Sequence, residues 1–214
     1  MTQEFDKDYW EAHWQEATAL GAGTELEPNP HLAREARDLV PGTALDAGCG
    51  EGAEAIFLAR AGWQVTAVDI SAGVLARAAE RAGAGGASAE RLQWVEADLR
   101  AWDPGRRFDL VTTHYAHPAM PQLAFYDRIA DWVAPGGTLL IVGHLHRPGT
   151  AGHGHGHGHL PPEAASVTAA SVTAGLDSER WDVVTAEEIT HALDDREGGC
   201  VERHDIVVRA TRRP

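Results

Sequence analysis

From residue 43 the chain reads Thr43-Ala44-Leu45-Asp46-Ala47-Gly48-Cys49-Gly50-Glu51-Gly52. Five residues of strand character, Thr43–Ala47, run straight into a glycine cluster, and a helix-like stretch, Ala53–Ala61, follows at once. Glycine reaches backbone dihedrals closed to other residues and lets a ligand approach the main chain. The first turn of the helix beyond offers N–H groups with no partner inside the helix. This turn is therefore built to hold a ligand. Gly48, Gly50 and Ala53 also satisfy a loose dinucleotide-binding pattern, which keeps a nicotinamide-dependent oxidoreductase among the readings. Asp46 weighs against it. Its carboxylate, two residues before Gly48, lies beneath the loop, where it suits an ammonium group and repels a pyrophosphate.

Outward from the loop, short apolar runs alternate with helical patterns. Further strands are expected at Gln64–Asp69, Leu92–Glu96, Phe108–Thr113 and Thr138–His144, with later ones near Trp181–Thr185 and Val201–Thr211. Ser71–Ala82 opens on a serine suited to cap it and puts Val74, Leu75, Ala78 and Ala79 on one face. Met120–Val133 stops at Pro135-Gly136-Gly137, and a last helix is expected at Pro162–Leu176. Strands this apolar, alternating with helices, imply a parallel sheet covered on both faces in a single α/β domain, residues 1–214. Residues 1–40 precede the sheet. Phe5, Tyr9, Trp10 and Trp14 suit an amphipathic helix there, either packed on the domain or closing over a pocket as a cap, with Trp14 toward the ligand.

Two more acids stand where such a sheet places ligand-facing groups. Asp69 ends the second strand, where a carboxylate can accept both hydroxyls of a ribose. Asp98, after the third strand, can accept a hydrogen bond from an adenine amino group. In order, LDAGCGEG, AVDIS, EADL, FDLVTTHYAHP and APGG resemble the motif series of the class I S-adenosylmethionine-dependent methyltransferases, over about residues 43–144. The resemblance implies a Rossmann-like, doubly wound, three-layer α/β/α fold with a seven-stranded sheet, mostly parallel with the last strand antiparallel. It implies S-adenosylmethionine as cofactor, with Asp46, Gly48 and Gly50 along its methionine part. Asp69 and Ile70 would hold ribose and adenine, and Asp98 with Leu99 the adenine.

The fourth strand runs into His114-Tyr115-Ala116-His117-Pro118. Family members that methylate nucleic-acid bases carry an acid, amide or serine followed by Pro-Pro-aromatic here, and this chain departs from that. Methyl transfer from a sulfonium needs the acceptor positioned and, for a protic acceptor, a base. Imidazole titrates near neutrality, so His114 or His117 can be that base, with Tyr115 orienting the acceptor. His114 can equally contact the cofactor carboxylate.

After the fifth strand come His144 and His146, then a glycine-spaced series, His153, His155, His157 and His159. Residues 144–160 read as a surface loop. Imidazoles at such spacing can ligate Zn, Ni, Cu or Fe, and a flexible tract of this kind also binds metal adventitiously. A metal-binding or metal-responsive protein on the same fold is the second function class.

The formal charge of −14 over 214 residues repels polyanions, so nucleic acid is not the expected partner. Cys49 and Cys200 make no disulfide framework, and Met1–Trp10 has neither the basic start nor the apolar core of a secretory signal. No apolar run approaches the roughly 20 residues that span a bilayer. Together these point to the cytosol, without membrane contact. The expected activity is methyl transfer to an O, N or S atom of a small molecule, by a monomer or homodimer.

Overall fold

The computed structural model describes residues 5–19, 27–84, 89–145, 167–194 and 200–214. Two helices, α1 (Lys7–Ala19) and α2 (Pro30–Glu35), precede β1 (Thr43–Ala47). There follow α3 (Ala53–Arg60), β2 (Gln64–Asp69), α4 (Ala72–Ala84), a short 3-10 turn (Ala89–Arg91), β3 (Leu92–Glu96) and β4 (Phe108–His114). The remainder is α5 (Gln122–Ala130), β5 (Val133–His144), α6 (Ala169–Gly175), β6 (Trp181–Asp194) and β7 (Cys200–Arg212).

The strands form one seven-stranded sheet in the order β3-β2-β1-β4-β5-β7-β6. Pairings from β3 through β5 are parallel, and β7 runs antiparallel to both β5 and β6. Only the last strand is reversed, as the motif series implied. Alternating side chains feed two cores. On one face Leu110, Leu140, Val142 and Val207 pack with Leu32, Leu58, Val74 and Leu75 from α2, α3 and α4. On the other, Val111, Leu139, Ile141 and Val208 pack with Phe125, Ile129 and Val172 from α5 and α6. Each such fully buried side chain contributes about 1.5–3 kcal/mol.

The first three strands fall where the apolar runs place them; β1 and β2 do so because buried parallel strands are nearly continuous in hydrophobicity. Elsewhere the structure corrects the reading. β5 starts at Val133, not Thr138: Val133 already pairs with Phe108, and a register shift between Phe108 and Leu110 accommodates the Pro135-Gly136-Gly137 turn. α5 is shorter than Met120–Val133, with Pro121 at its N-cap and Asp131 at its C-cap. β6 extends to Asp194 rather than Thr185 and pairs along its length with β7. Glu187, Glu188 and Thr190 hide that strand from a hydrophobicity reading. α6 opens at Ala169 behind a reciprocal Thr168–Ser171 capping box, and residues 162–166 of its expected start lie outside the described residues. Among the described residues no helix is long and apolar enough to cross a membrane.

Candidate active site

In a sheet of this winding, the carboxyl ends of the central strands open onto the loops at one edge. At β1 that edge is the glycine turn, held by Gly48 and Cys49 N–H groups donating to the Val68 carbonyl at 2.8 and 2.9 Å. Gly48 has φ 80°, and any side chain there would collide with Ala116 beyond β4. Gly50, at φ 48°, lies under the ring of Trp14, whose Cζ2 and Cη2 would be 3.1 and 3.2 Å from an added Cβ. Thus α1 lies across the glycine turn, its Glu11 near Gly73 at the start of α4 and Lys7 paired with Glu96 of β3.

Asp46, 1% exposed, is directly opposite Thr112 on the neighbouring strand. One of its carboxylate oxygens has no hydrogen-bond partner. Burial first, then the charges of Glu54 and Asp69, holds this carboxyl well above the usual carboxylate range. Asp69 accepts from Gly50 N–H at 2.9 Å and Ser71 N–H at 3.0 Å, tying the glycine turn to α4. Burial raises its pKa too, against the opposing pull of those N–H groups. A carboxylate can accept about four hydrogen bonds, so accepting capacity remains for a ligand hydroxyl. Cys49 is buried in the same place, its thiol pushed well up by burial and the neighbouring acids.

Ile70 and Asp98 line a cavity of about 430 Å³ together with Asp6, Lys7, Asp8, Glu96, Ala97 and Arg100. Asp98 is not a bare acceptor: the Arg100 guanidinium forks across both of its oxygens at 2.7–3.0 Å and holds it below the usual range. The Leu99 side chain belongs to the core, and its carbonyl accepts from Arg128 at 2.9 Å.

Beyond β4 two of the sequence candidates, Tyr115 and His117, come together with His144. Tyr115 and His144 stack at 4.4 Å between ring centroids, and His117 and His144 at 5.6 Å. Tyr115 has φ 55°, and among the described residues no other non-glycine has a positive φ. That is a strained backbone of the kind that clusters at functional sites. Gln122 Nε2 donates to the Ala116 carbonyl at 3.0 Å, which turns Gln122 Oε1 toward His117 Nδ1 at 3.2 Å. The proton of His117 is therefore assigned to Nδ1, leaving Nε2 as a buried nitrogen without a partner. His114 has both ring nitrogens buried and unpartnered. Burial pushes both histidines below the usual imidazole range; the Glu54 charge opposes this at His114, and the Gln122 hydrogen bond at His117.

Among the described residues no group of three or more His, Cys, Asp or Glu is arranged to hold a metal ion. His146, His153, His155, His157 and His159 lie outside the described residues, so of the proposed metal set only His144 has a described position, in the ring stack.

Several residues of the site carry no motif. Asn29 caps α2 by accepting from His31 N–H at 2.9 Å, donates from Nδ2 to the Tyr115 hydroxyl at 3.1 Å, and donates its own N–H to Glu54 at 3.0 Å. His31 Nε2 lies 3.7 Å from Asp205 of β7, both buried. The Asn29-Pro30 pair is a helix-start signal that could have located the cap. Its reach to Tyr115 depends on the tertiary fold.

A family model described as a methyltransferase domain matches residues 44–137. An uncharacterized methyltransferase of Mycobacterium tuberculosis is 41% identical over 100 residues, 46% of this chain and 48% of that protein. A trans-aconitate 2-methyltransferase of Streptomyces avermitilis is 36% identical over 118 residues, 51% of this chain and 40% of that protein. The chain thus spans about half the length of the curated relatives it matches. A magnesium protoporphyrin IX methyltransferase from Synechocystis, solved with bound S-adenosylmethionine, superposes with a TM-score of 0.63 at 18% identity, covering 99% of this chain and 100% of that one. The glycine turn over a buried acid, the strand order with its reversed last strand, and the family match agree. Residues 44–137 carry a methyltransferase domain, within a fold shared with S-adenosylmethionine-dependent methyltransferases.

Proposed function

We propose that this protein transfers a methyl group from S-adenosylmethionine to an O, N or S atom of a small molecule. The observation that carries the cofactor is Asp46: a carboxylate buried beneath a left-handed glycine turn, with an unpartnered oxygen. Among the described residues no Lys or Arg forms an ion pair with it. That group fits an ammonium, such as the one on the methionine part of the cofactor, and opposes a pyrophosphate. Asp69 has lone pairs for the ribose hydroxyls, and Gly48 and Gly50 admit close backbone approach. Ile70 and Asp98 line a cavity of a size to take a base. Trp14 covers the turn from outside. When bound, the cofactor supplies a methyl group on a positively charged sulfur.

His114, His117 and Tyr115 form the acceptor side. The two imidazoles are neutral at pH 7 and offer bare nitrogens to a proton, while Tyr115 is fixed by Asn29. The family's trans-aconitate relatives support a small acceptor.

Isothermal titration with S-adenosylhomocysteine tests the assignment. The wild-type protein should bind it, and Asp69→Ala should bind at least about tenfold more weakly, a loss of about 1.4 kcal/mol. Unchanged affinity in Asp69→Ala would remove that residue from the pocket. Binding of NADH in place of S-adenosylhomocysteine would overturn the cofactor reading.

A further inference from the structure

Resting on the methyl-transfer reading, we propose that the acceptor is an organic amine, drawn in as its ammonium form by the carboxylates around His114. Asp46 and Thr112 face each other across β1 and β4, and His114, two residues after Thr112, shares their face of the sheet. Thr112 is fully buried and Asp46 is 1% exposed, yet Thr112 Oγ1, Asp46 Oδ2 and both ring nitrogens of His114 have no hydrogen-bond partner. Buried polar atoms almost always have partners. Four orphans on one patch mark a place where a polar ligand is received.

The charge of that place is weighted to the acid side, with Glu54 outweighing the opposing imidazole of His31 at His114. Glu54 and Asp69 act on Asp46, and Glu54 and His31 act on His114. Among the described residues, neither Asp46 nor Glu54 is ion-paired to a Lys or Arg. With Asp46 meeting the cofactor's ammonium, the Glu54 carboxylate is left as an excess of negative charge beside His114. An ammonium balances that excess. A carboxylate acceptor adds to it. His114, neutral at pH 7, is the proton acceptor on this face. One proton passes from the ammonium to an imidazole nitrogen, and the freed lone pair forms the new N–C bond. The C–S bond electrons leave with sulfur, so a methylated ammonium and a neutral thioether result.

The probe set is matched in skeleton: benzylamine, benzyl alcohol, benzyl mercaptan and benzoate, with trans-aconitate as the acceptor of a relative. Each is titrated calorimetrically into protein saturated with S-adenosylhomocysteine, and each is offered for turnover with S-adenosylmethionine. Benzylamine should bind at least tenfold tighter than the alcohol or thiol and be methylated, and the two anions should not bind. In Glu54→Gln, benzylamine affinity should fall about tenfold while benzyl alcohol stays within threefold. Alcohol or thiol binding as tight as the amine, or preference for either anion, overturns the proposal, as does an equal loss for amine and alcohol in Glu54→Gln. The wild-type panel decides the matter whether or not Glu54→Gln folds. Failure of S-adenosylhomocysteine to bind the wild-type protein would instead overturn the methyl-transfer reading, and this one with it.

Discussion

Asp46 shows how a single residue can be costly to the fold and useful to the site. Its folded pKa lies above the unfolded value of 3.8, so its stabilising state is the protonated one. That contribution is lost as pH rises through the folded pKa. Ionising the group is a liability until a cation meets it. Asp46→Asn should therefore raise the melting temperature by about 3 °C, the equivalent of about 1 kcal/mol in a domain of this size, and weaken S-adenosylhomocysteine at least tenfold. Thermal melts and titration on the same preparation check both, and a lower melting temperature would contradict the argument. Asp46, Gly48, Asp69 and His114 were legible in the sequence because strand ends and glycine turns are local. Glu54, Thr112 and Asp205 were not, because an acid in the first turn of a helix or a threonine in a strand acquires its role only when the sheet assembles. Asp98 was legible as an acid, but its Arg100 partner two residues on was not anticipated as a fork across both oxygens.

At the scale of elements, the short α2 does more than its six residues suggest. Its cap, Asn29, joins the segment before the sheet to Tyr115 and to α3. Tyr115 holds a left-handed conformation that costs a non-glycine residue roughly 1–2 kcal/mol, and the Asn29 amide is one of its tethers. Asn29→Ser keeps an N-cap hydroxyl but is too short to reach Tyr115. It should lower kcat about tenfold, with S-adenosylhomocysteine affinity within threefold and little change in melting temperature. Asn29→Ala should lose a further 0.5–2 kcal/mol of stability with the cap. Equal kcat in wild type and Asn29→Ser would show that the tether is idle. Buried parallel elements were readable because each strand is apolar nearly throughout. The outer half of β6 was not, since an edge strand exposed to water needs no hydrophobic run and reads as loop.

For the molecule as a whole, the buried imidazoles set a direction for pH dependence. His114 and His117 have folded pKa values below the unfolded 6.5. The unfolded chain therefore takes up their protons first, and stability falls as pH drops below about 6.5 toward the folded values. The raised carboxyls of Asp46 and Asp69 work in the opposite sense, so the clean measurement is a difference. His114→Gln should gain on wild type in unfolding free energy as pH is lowered from 7.5 to 5.5, by up to about 1.4 kcal/mol per pH unit inside that window, read from denaturant titrations. A pH-independent difference would mean that His114 charges without penalty. The strand order has a consequence for biosynthesis. β7 is the last strand to leave the ribosome, yet it sits between β5 and β6 and pairs with both. Neither neighbour can complete its hydrogen bonding earlier, so β5 and β6 each keep an unpaired edge until β7 emerges. Asp205, beside His31, arrives with that strand, so the buried His31–Asp205 contact forms only once β7 has inserted.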